Sequence, residues 1–372
     1  MRLHLDVSKF NSILFTLIFI FSMTESTVFS YYFTLSNPIS VILLTLLIGF
    51  NFKKIKYDYH SLIFIIPTVF FCLMSVIASD NLHLGGYNTA LITIFVLICF
   101  SFYGISFNLK LMSKLLLICM YIVLVGSLYF IYSKLYLALS LDEKSGIFLN
   151  SNSFGMFLAF SLIFQFIFIK NTKWIFFNFI LFFPILLYSN SRGSLFMFII
   201  FLLFYNFYNS KSINLLIGRF LALLISTIIF MFIFSFFFSE VSEQLFNKIQ
   251  SSGTTGRLDL WLSIIDKIFS DFIIFLFGSG PATTIIDGKS AHNSYLNEAS
   301  NMGLLYVLSY ISLIAYKYAR FRALNYKPFL IVVFPVMFLG IFESVLFLNS
   351  IFWIFILFLN LSFKKIKKES IE

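Results

Sequence analysis

Charge is scarce in this chain. Asp, Glu, Lys and Arg together make up 11% of its residues against 60% hydrophobic, and mean hydropathy is +0.97. A soluble domain carries roughly a quarter charged residues, so an ordinary water-facing surface is excluded. Apolar–polar alternation is missing as well, because the apolar runs are continuous; that excludes the strands of a membrane barrel. Cysteine is limited to Cys72, Cys99 and Cys119, each inside an apolar run. They build neither a disulfide framework nor a metal knuckle and read as small packing residues. His4, His60 and His83 are scattered singly in ends and loops, and no His, Cys and carboxylate cluster has metal-ligand spacing. A Walker signature and a dinucleotide fingerprint are both absent. No metal or cofactor is therefore expected.

What is abundant is apolar sequence in lengths that suit a bilayer. A spanning helix needs about 20 mostly apolar residues. Runs of this kind lie near 10–29, 31–50, 62–79, 88–108, 114–133, 151–169, 174–190, 192–209, 213–238, 302–316, 329–346 and 350–363. The chain reads as all-α, a single integral-membrane domain over 1–372 with about twelve transmembrane helices. Arg2 and Lys9 precede the first run, and no small-x-small cleavage site follows it, so that run is expected to be retained as a span.

The net charge of +10 invites a nucleic-acid reading, but its distribution points to membrane topology. With the N-terminus inside, about 19 of the 26 basic residues fall in cytoplasmic segments, as the positive-inside bias requires. Among them are Lys53, Lys54, Lys56, Lys170, Lys173, Lys317, Arg320 and Arg322. These clusters read as solvated tethers between helices, with no nucleic-acid partner. Both termini are then cytoplasmic, and segment 239–301 becomes one large external loop. That loop occurs once, with no counterpart in the first half. The asymmetry weakens a transporter built from inverted repeats.

The polar interval from Glu240 to Gly303 holds most of the residues capable of chemistry. Arg257 follows Gly256 and opens a helix that Thr254 or Thr255 can cap. Leu258, Trp261, Leu262, Ile265, Ile268 and Phe269 form one apolar stripe of that helix, with Asp259, Ser263, Asp266 and Lys267 opposite. This is the pattern of a helix on the membrane surface, Trp261 at headgroup depth and Arg257 on its face. Gly278-Ser279-Gly280-Pro281 reads as a turn closing it rather than as a phosphate loop. His292, with Ser290 as cap, is expected to begin a helix running into the tenth span, Tyr295 on its side and Glu298 beside it. An imidazole near a helix N-terminus is pushed toward its neutral form, which suits a general base; a structural histidine is the other reading.

Three further positions lie outside that interval. Arg192 begins the eighth span in Ser191-Arg192-Gly193-Ser194. A cation on the outer side and at a helix N-terminus runs against two tendencies. Snorkelling to lipid phosphate and gripping an anionic substrate both account for it. Asn152, in Asn150-Ser151-Asn152-Ser153, belongs to amides that either bind sugar hydroxyls or cap the sixth span. Glu343, inside the eleventh span, is costly unless paired, and either Arg192 or Arg257 can serve as its partner.

Taken in order, Ser191-Arg192-Gly193-Ser194, Gly256-Arg257 with Trp261, Gly278-x-Gly280, and Ala291-His292-Asn293-Ser294-Tyr295-Leu296 leading to Gly303 resemble the family of O-antigen polymerases and O-antigen ligases. Twelve spans with one large external loop before the tenth fit it too. The resemblance implies a metal-independent, GT-C-like glycosyltransferase of the bacterial inner membrane. It would act at the periplasmic face on undecaprenyl-pyrophosphate-linked oligosaccharides and work with a separate chain-length regulator. Carried over to this chain, Arg192 and Arg257 would hold the pyrophosphate and His292 would accept the proton of the attacking sugar hydroxyl, with inversion at the anomeric carbon. Trp261, Asn293, Tyr295, Glu298, Asn152 and Glu343 are the accompanying substrate-binding candidates. The Ser-Arg-Gly-Ser turn and compact loop favour a polymerase over a ligase delivering to lipid A-core. A lipid-linked oligosaccharide flippase would need a charged path through the bilayer, where Glu343 stands nearly alone.

Overall fold

A computed structural model describes residues 6–24, 27, 36–79, 84–134, 145–169, 171–189, 191–209, 255–281, 293–341 and 351–363. Fourteen helices are present among them: α1 (Val7–Thr24), α2 (Ser36–Asn51), α3 (Tyr59–Ile77), α4 (Leu84–Cys99), α5 (Leu109–Tyr132), α6 (Ser151–Phe168), α7 (Thr172–Tyr188), α8 (Arg192–Asn209), α9 (Thr255–Ser270), α10 (Phe272–Phe277), α11 (Ser294–Met302), α12 (Leu304–Ala323), α13 (Lys327–Leu339) and α14 (Ile351–Ser362). The all-α class is as expected. Among the described residues, strand pairing is limited to a two-residue antiparallel pair, β1 (Lys56–Tyr57) with β2 (Phe102–Tyr103), and one isolated bridge. The run at 213–238 lies outside the described residues.

Among the described residues three helices, α3, α5 and α6, are long and apolar enough to cross a membrane. Their faces are distributed as lipid would demand. On α3 the inward seam is Ser61, Ile65, Thr68, Cys72 and Ser75, all buried. Its outward face carries Ile63, Ile66, Phe70, Leu73 and Ile77, all exposed. Small and polar residues inside with large apolar ones outside reverse the arrangement of a soluble amphipathic helix. It is the pattern of helices packed against one another in lipid, where small residues allow close approach. By contrast 61% of the apolar window of α6 is buried, against 28% for α3 and α5, so α6 is central and the other two peripheral. Around α6 the core is phenylalanine-rich. Phe160 stacks on Phe19, and Phe164 and Phe168 meet Phe355 and Phe358 of α14.

Helix termini sort onto two ends of the bundle. At the first end Asn11 and Asn51 exchange amide hydrogen bonds (3.0 and 2.8 Å). There too the Asn108 N–H donates to the Ser8 carbonyl, the Gly104 and Ile105 N–H groups donate to the Leu361 carbonyl, and β1 pairs with β2. The Tyr208 and Tyr318 hydroxyls meet at 2.7 Å on the same side. At the second end Thr27 bridges Phe148, the Ser75 hydroxyl donates to the Asn301 carbonyl (2.6 Å), and the Ser294 N–H donates to the Gly340 carbonyl (2.7 Å). Lys53, Lys54, Lys56, Lys317, Arg320 and Arg322 belong to segments of the first end.

Two of those cations are not solvated tethers. The tenth run was expected to end near 316, but α12 continues to Ala323. Lys317 therefore lands on the buried stripe formed by Tyr306, Tyr310, Leu313, Ile314 and Phe321 and is 1% exposed. Its ammonium donates to Asp58 Oδ2 (2.9 Å) and to the Phe100 carbonyl (2.6 Å). Arg320 pairs with the same carboxylate and lies over the Tyr103 ring, while the Tyr316 hydroxyl donates to Asp58 Oδ1 (2.9 Å). One buried carboxylate thus joins α12 to the start of α3, and Lys317 carries the link on to the end of α4. Removing one partner of a buried ion pair strands the others' charge. Asp58→Asn is expected to destabilise the protein by about 3–5 kcal/mol, measured by thermal or denaturant unfolding in detergent; an unchanged midpoint would refute the buried cluster.

Candidate functional site

The second end gathers the residue types of interest. Two helix N-termini meet there. Asn150 caps α6, accepting from the Ser153 N–H (2.7 Å). Ser191 precedes α8, its hydroxyl donating to Ser194 Oγ (2.8 Å) and its carbonyl accepting from Leu195. The two are in close contact, because a side chain at Gly155 would collide with the Ser191 side chain. Arg192, the first residue of α8, and Asn152, in the first turn of α6, are both half-buried at this junction. Helix N-termini present unpaired N–H groups and positive dipole ends, which favour anions. An arginine added to two such ends makes a cationic corner.

On the other flank α9, α10 and α11 form one packed unit. The Ser279 and Gly280 N–H groups donate to the Ser300 and Asn301 carbonyls (2.8 and 2.9 Å), so the 278–281 turn, which follows α10, is stitched to the end of α11. Two glycines make this crossing possible. Gly278 has φ +77 and any Cβ there would strike the Asn301 carbonyl; Gly303 has φ +88 and its Cβ would strike the Leu276 carbonyl. Only glycine takes such φ values without strain.

Gly303 also corrects the expected geometry of the tenth span. The helix carrying Tyr295 does not run on into it. It ends at Met302, and α12 starts afresh at Leu304. Nor does that helix begin at His292 with Ser290 as cap. It begins at Ser294, and Asn293 is the cap, its side chain accepting from the Leu296 N–H (3.1 Å).

The stripe on α9 is also divided. Ile264, outside the expected stripe, is fully buried together with Ile268, and α9 packs on α11. Leu262 and Phe269 are exposed, as are Phe272 and Ile273 of α10. Trp261 is half-buried between the two edges. The helix thus lies on protein with one edge and turns the other outward, instead of resting its whole apolar face on a membrane. Lys267, placed on the polar face, reaches Ser279 Oγ (3.3 Å).

Along α11, Tyr295 donates its hydroxyl to the Met337 carbonyl of α13 (2.7 Å), and burial pushes its phenol up to about 12. It is therefore a neutral anchor. Glu298 is 7% exposed, with Oε2 lacking any hydrogen-bond partner. Burial pushes its carboxyl up to about 8, because removing a carboxylate from water disfavours the charged form.

The structure therefore places Arg192 and Asn152 in the first turns of two helices that touch at Gly155 and Ser191, and Trp261 on the helix packed against the one that carries Tyr295 and Glu298 and is capped by Asn293. Helix α13 lies between the groups. It packs along α8, where Phe204 stacks on Phe334 at 4.5 Å, and its C-terminal end receives Tyr295 and Ser294. His292 and Glu343 lie outside the described residues, and Arg257 is placed by its backbone alone, two residues into α9. Sequence reasoning missed Gly155, Ser75 and Gly340, small residues at which segments touch, and named Gly303 without its role as a helix break. A glycine or serine gives no signal of which distant segment it touches. Among the described residues no three His, Cys, Asp or Glu side chains gather as metal ligands. The chain matches no known protein-family model and none of the curated proteins.

The glycine crossing is testable by substitution. Gly303→Ala should lower stability by about 2–4 kcal/mol, combining backbone strain with overpacking, whereas Gly126→Ala, with open space around it, should be neutral or slightly stabilising. Equal unfolding midpoints for the two variants would rule out the close crossing.

Proposed function

We propose that this chain is an O-antigen or capsular repeat-unit polymerase of the bacterial inner membrane. It spans the bilayer about twelve times, with both termini cytoplasmic and the 239–301 loop periplasmic. The observation that carries this reading is the placing of the motif-bearing segments. The Ser191–Ser194 turn, α9 and the Asn293–Tyr295 segment, far apart in sequence, belong to the same end of the bundle. Among the described residues, lysines and arginines expected to be cytoplasmic, such as Lys53, Lys54, Lys56, Lys317, Arg320 and Arg322, belong to the other end, as the positive-inside bias asks. Outward apolar faces on α3 and α5 support residence in lipid.

In this reading the donor is a growing glycan on undecaprenyl pyrophosphate, and the acceptor is a hydroxyl on the non-reducing-end sugar of the next lipid-linked repeat unit. The acceptor oxygen attacks the anomeric carbon as its bond to the pyrophosphate oxygen breaks. The proton goes to His292, the electron pair to the departing pyrophosphate, and the anomeric centre inverts. Arg192 and Arg257 stabilise the charge that develops on the leaving group, a task in which a planar, always-charged fork excels. Neutral Tyr295 and Glu298 suit such a site because they add no negative charge near an anionic donor.

Deleting the gene and examining lipopolysaccharide by gel separates the alternatives. A polymerase leaves core carrying a single repeat unit, whereas a ligase leaves bare core with chains still on the carrier. Arg257→Ala and His292→Ala are expected to cut elongation by about 100-fold or more while the protein still inserts. Arg257→Lys should also be impaired, since an ammonium is a point charge without the bidentate fork. Wild-type chain lengths in the alanine variants would defeat the mechanism.

A further inference from the structure

Glu298 has no place among the motif residues, yet it occupies the most constrained position on α11. It is more than nine-tenths buried and leaves Oε2 unpaired. Buried polar groups are almost always hydrogen-bonded, and an orphan asks for a functional account. Among the described residues no compensating cation faces it. Cys72 of α3 and Tyr306 and Tyr310 of α12 are its electrostatic neighbours, and its own helix contributes Tyr295. Helix α10 is Phe-Ile-Ile-Phe-Leu-Phe, with no titratable side chain. On α9, Asp259 and Asp266 are exposed, Lys267 is engaged by Ser279, and Arg257 is placed by its backbone alone. On α13 the only titratable residue, Lys327, lies at the opposite end of its helix from Met337. A carboxylate in this seat would therefore find no neutralising cation between α3 and α12 among the described side chains.

We infer that Glu298 is a positioning residue: as an uncharged carboxylic acid it seats α11 between α3 and α12, and loss of its proton unseats the helix that presents Asn293 and Tyr295. Its effect on chain growth rests on the polymerase reading; its effect on α11 does not.

The direction with pH follows from linkage. Burial raises the carboxyl from 4.5 to about 8, so the seated state keeps a proton that the unseated state releases. Stability from this seat is complete below 4.5, declines as pH rises, and is spent at about 8.

Hydrogen–deuterium exchange of the 294–302 peptide in nanodiscs, corrected for intrinsic rates, reads the seat directly. In the wild type its protection should fall by up to about tenfold per pH unit between pH 5 and 8 and level off above that, while the 151–168 peptide stays flat. In Glu298→Gln protection should not change with pH. A flat 294–302 curve in the wild type overturns the inference even if the variant fails to fold, and an identical slope in both proteins does the same. Chain-growth assays on lipid-linked repeats then separate the two proposals. Growth that falls between pH 5.5 and pH 8 in the wild type but keeps a constant rate in Glu298→Gln, whatever that variant's absolute rate, supports the positioning role. A pH-dependent seat with superimposable growth profiles overturns that role. A pH-dependent seat with no growth by the wild type at any pH leaves Glu298 seating α11 and overturns the polymerase reading.

Discussion

A polar group surrounded by hydrocarbon has only the protein itself to bond to, and that constraint orders the whole structure. The chain meets it by confining its strongest polar contacts to helix ends and to inward seams. Asp58 holds two cations and a tyrosine at one end, and Asn11 with Asn51 closes a second contact nearby. The middle of the bundle is filled mainly by phenylalanine, whose rings interlock without asking for partners. Chemistry is thereby pushed to the two ends, and the ends differ. One is basic and tied by ion pairs; the other is built from helix N-termini, glycine turns and neutral acids.

That division explains why the same residue type plays opposite parts. Lys317 and Arg320 are structural because a buried carboxylate neutralises them, whereas Arg192 stands at a helix start, where the dipole gives it no help. Glu298 is likewise distinct from Asp58: both are buried carboxyls, but Asp58 has cations within bonding distance, and among the described residues Glu298 has none.

Much of the architecture was legible in the sequence because it depends on local pattern. Continuous apolar runs marked most of the described helices, though not α10, and the Arg192 helix began where its serine-rich turn implied; the Gly278–Pro281 stretch is a turn, but one that follows α10 rather than α9. What escaped was non-local. The extent of α12, and so the burial of Lys317, depends on Asp58 more than 250 residues earlier. The break at Gly303 depends on the α10 backbone passing beside it. The division of the α9 stripe depends on α11 occupying one edge, which periodicity alone does not reveal. The arginines and the histidine carried a recognisable order but no geometry, whereas Tyr295 and Glu298 acquired distinct physical characters only from the surfaces that enclose them.

The contact between α10 with its following turn and α11 is made largely by main chain on main chain, with glycine on either side and the Ser279 hydroxyl donating to the Ser300 carbonyl (3.0 Å). Side chains act as springs, since a rotamer can yield; two peptide backbones in register do not. Helices α9, α10 and α11 are therefore held to one another as a single stiff block, with Phe272 and Ile273 exposed on one side and Tyr295 hydrogen-bonded to α13 on the other.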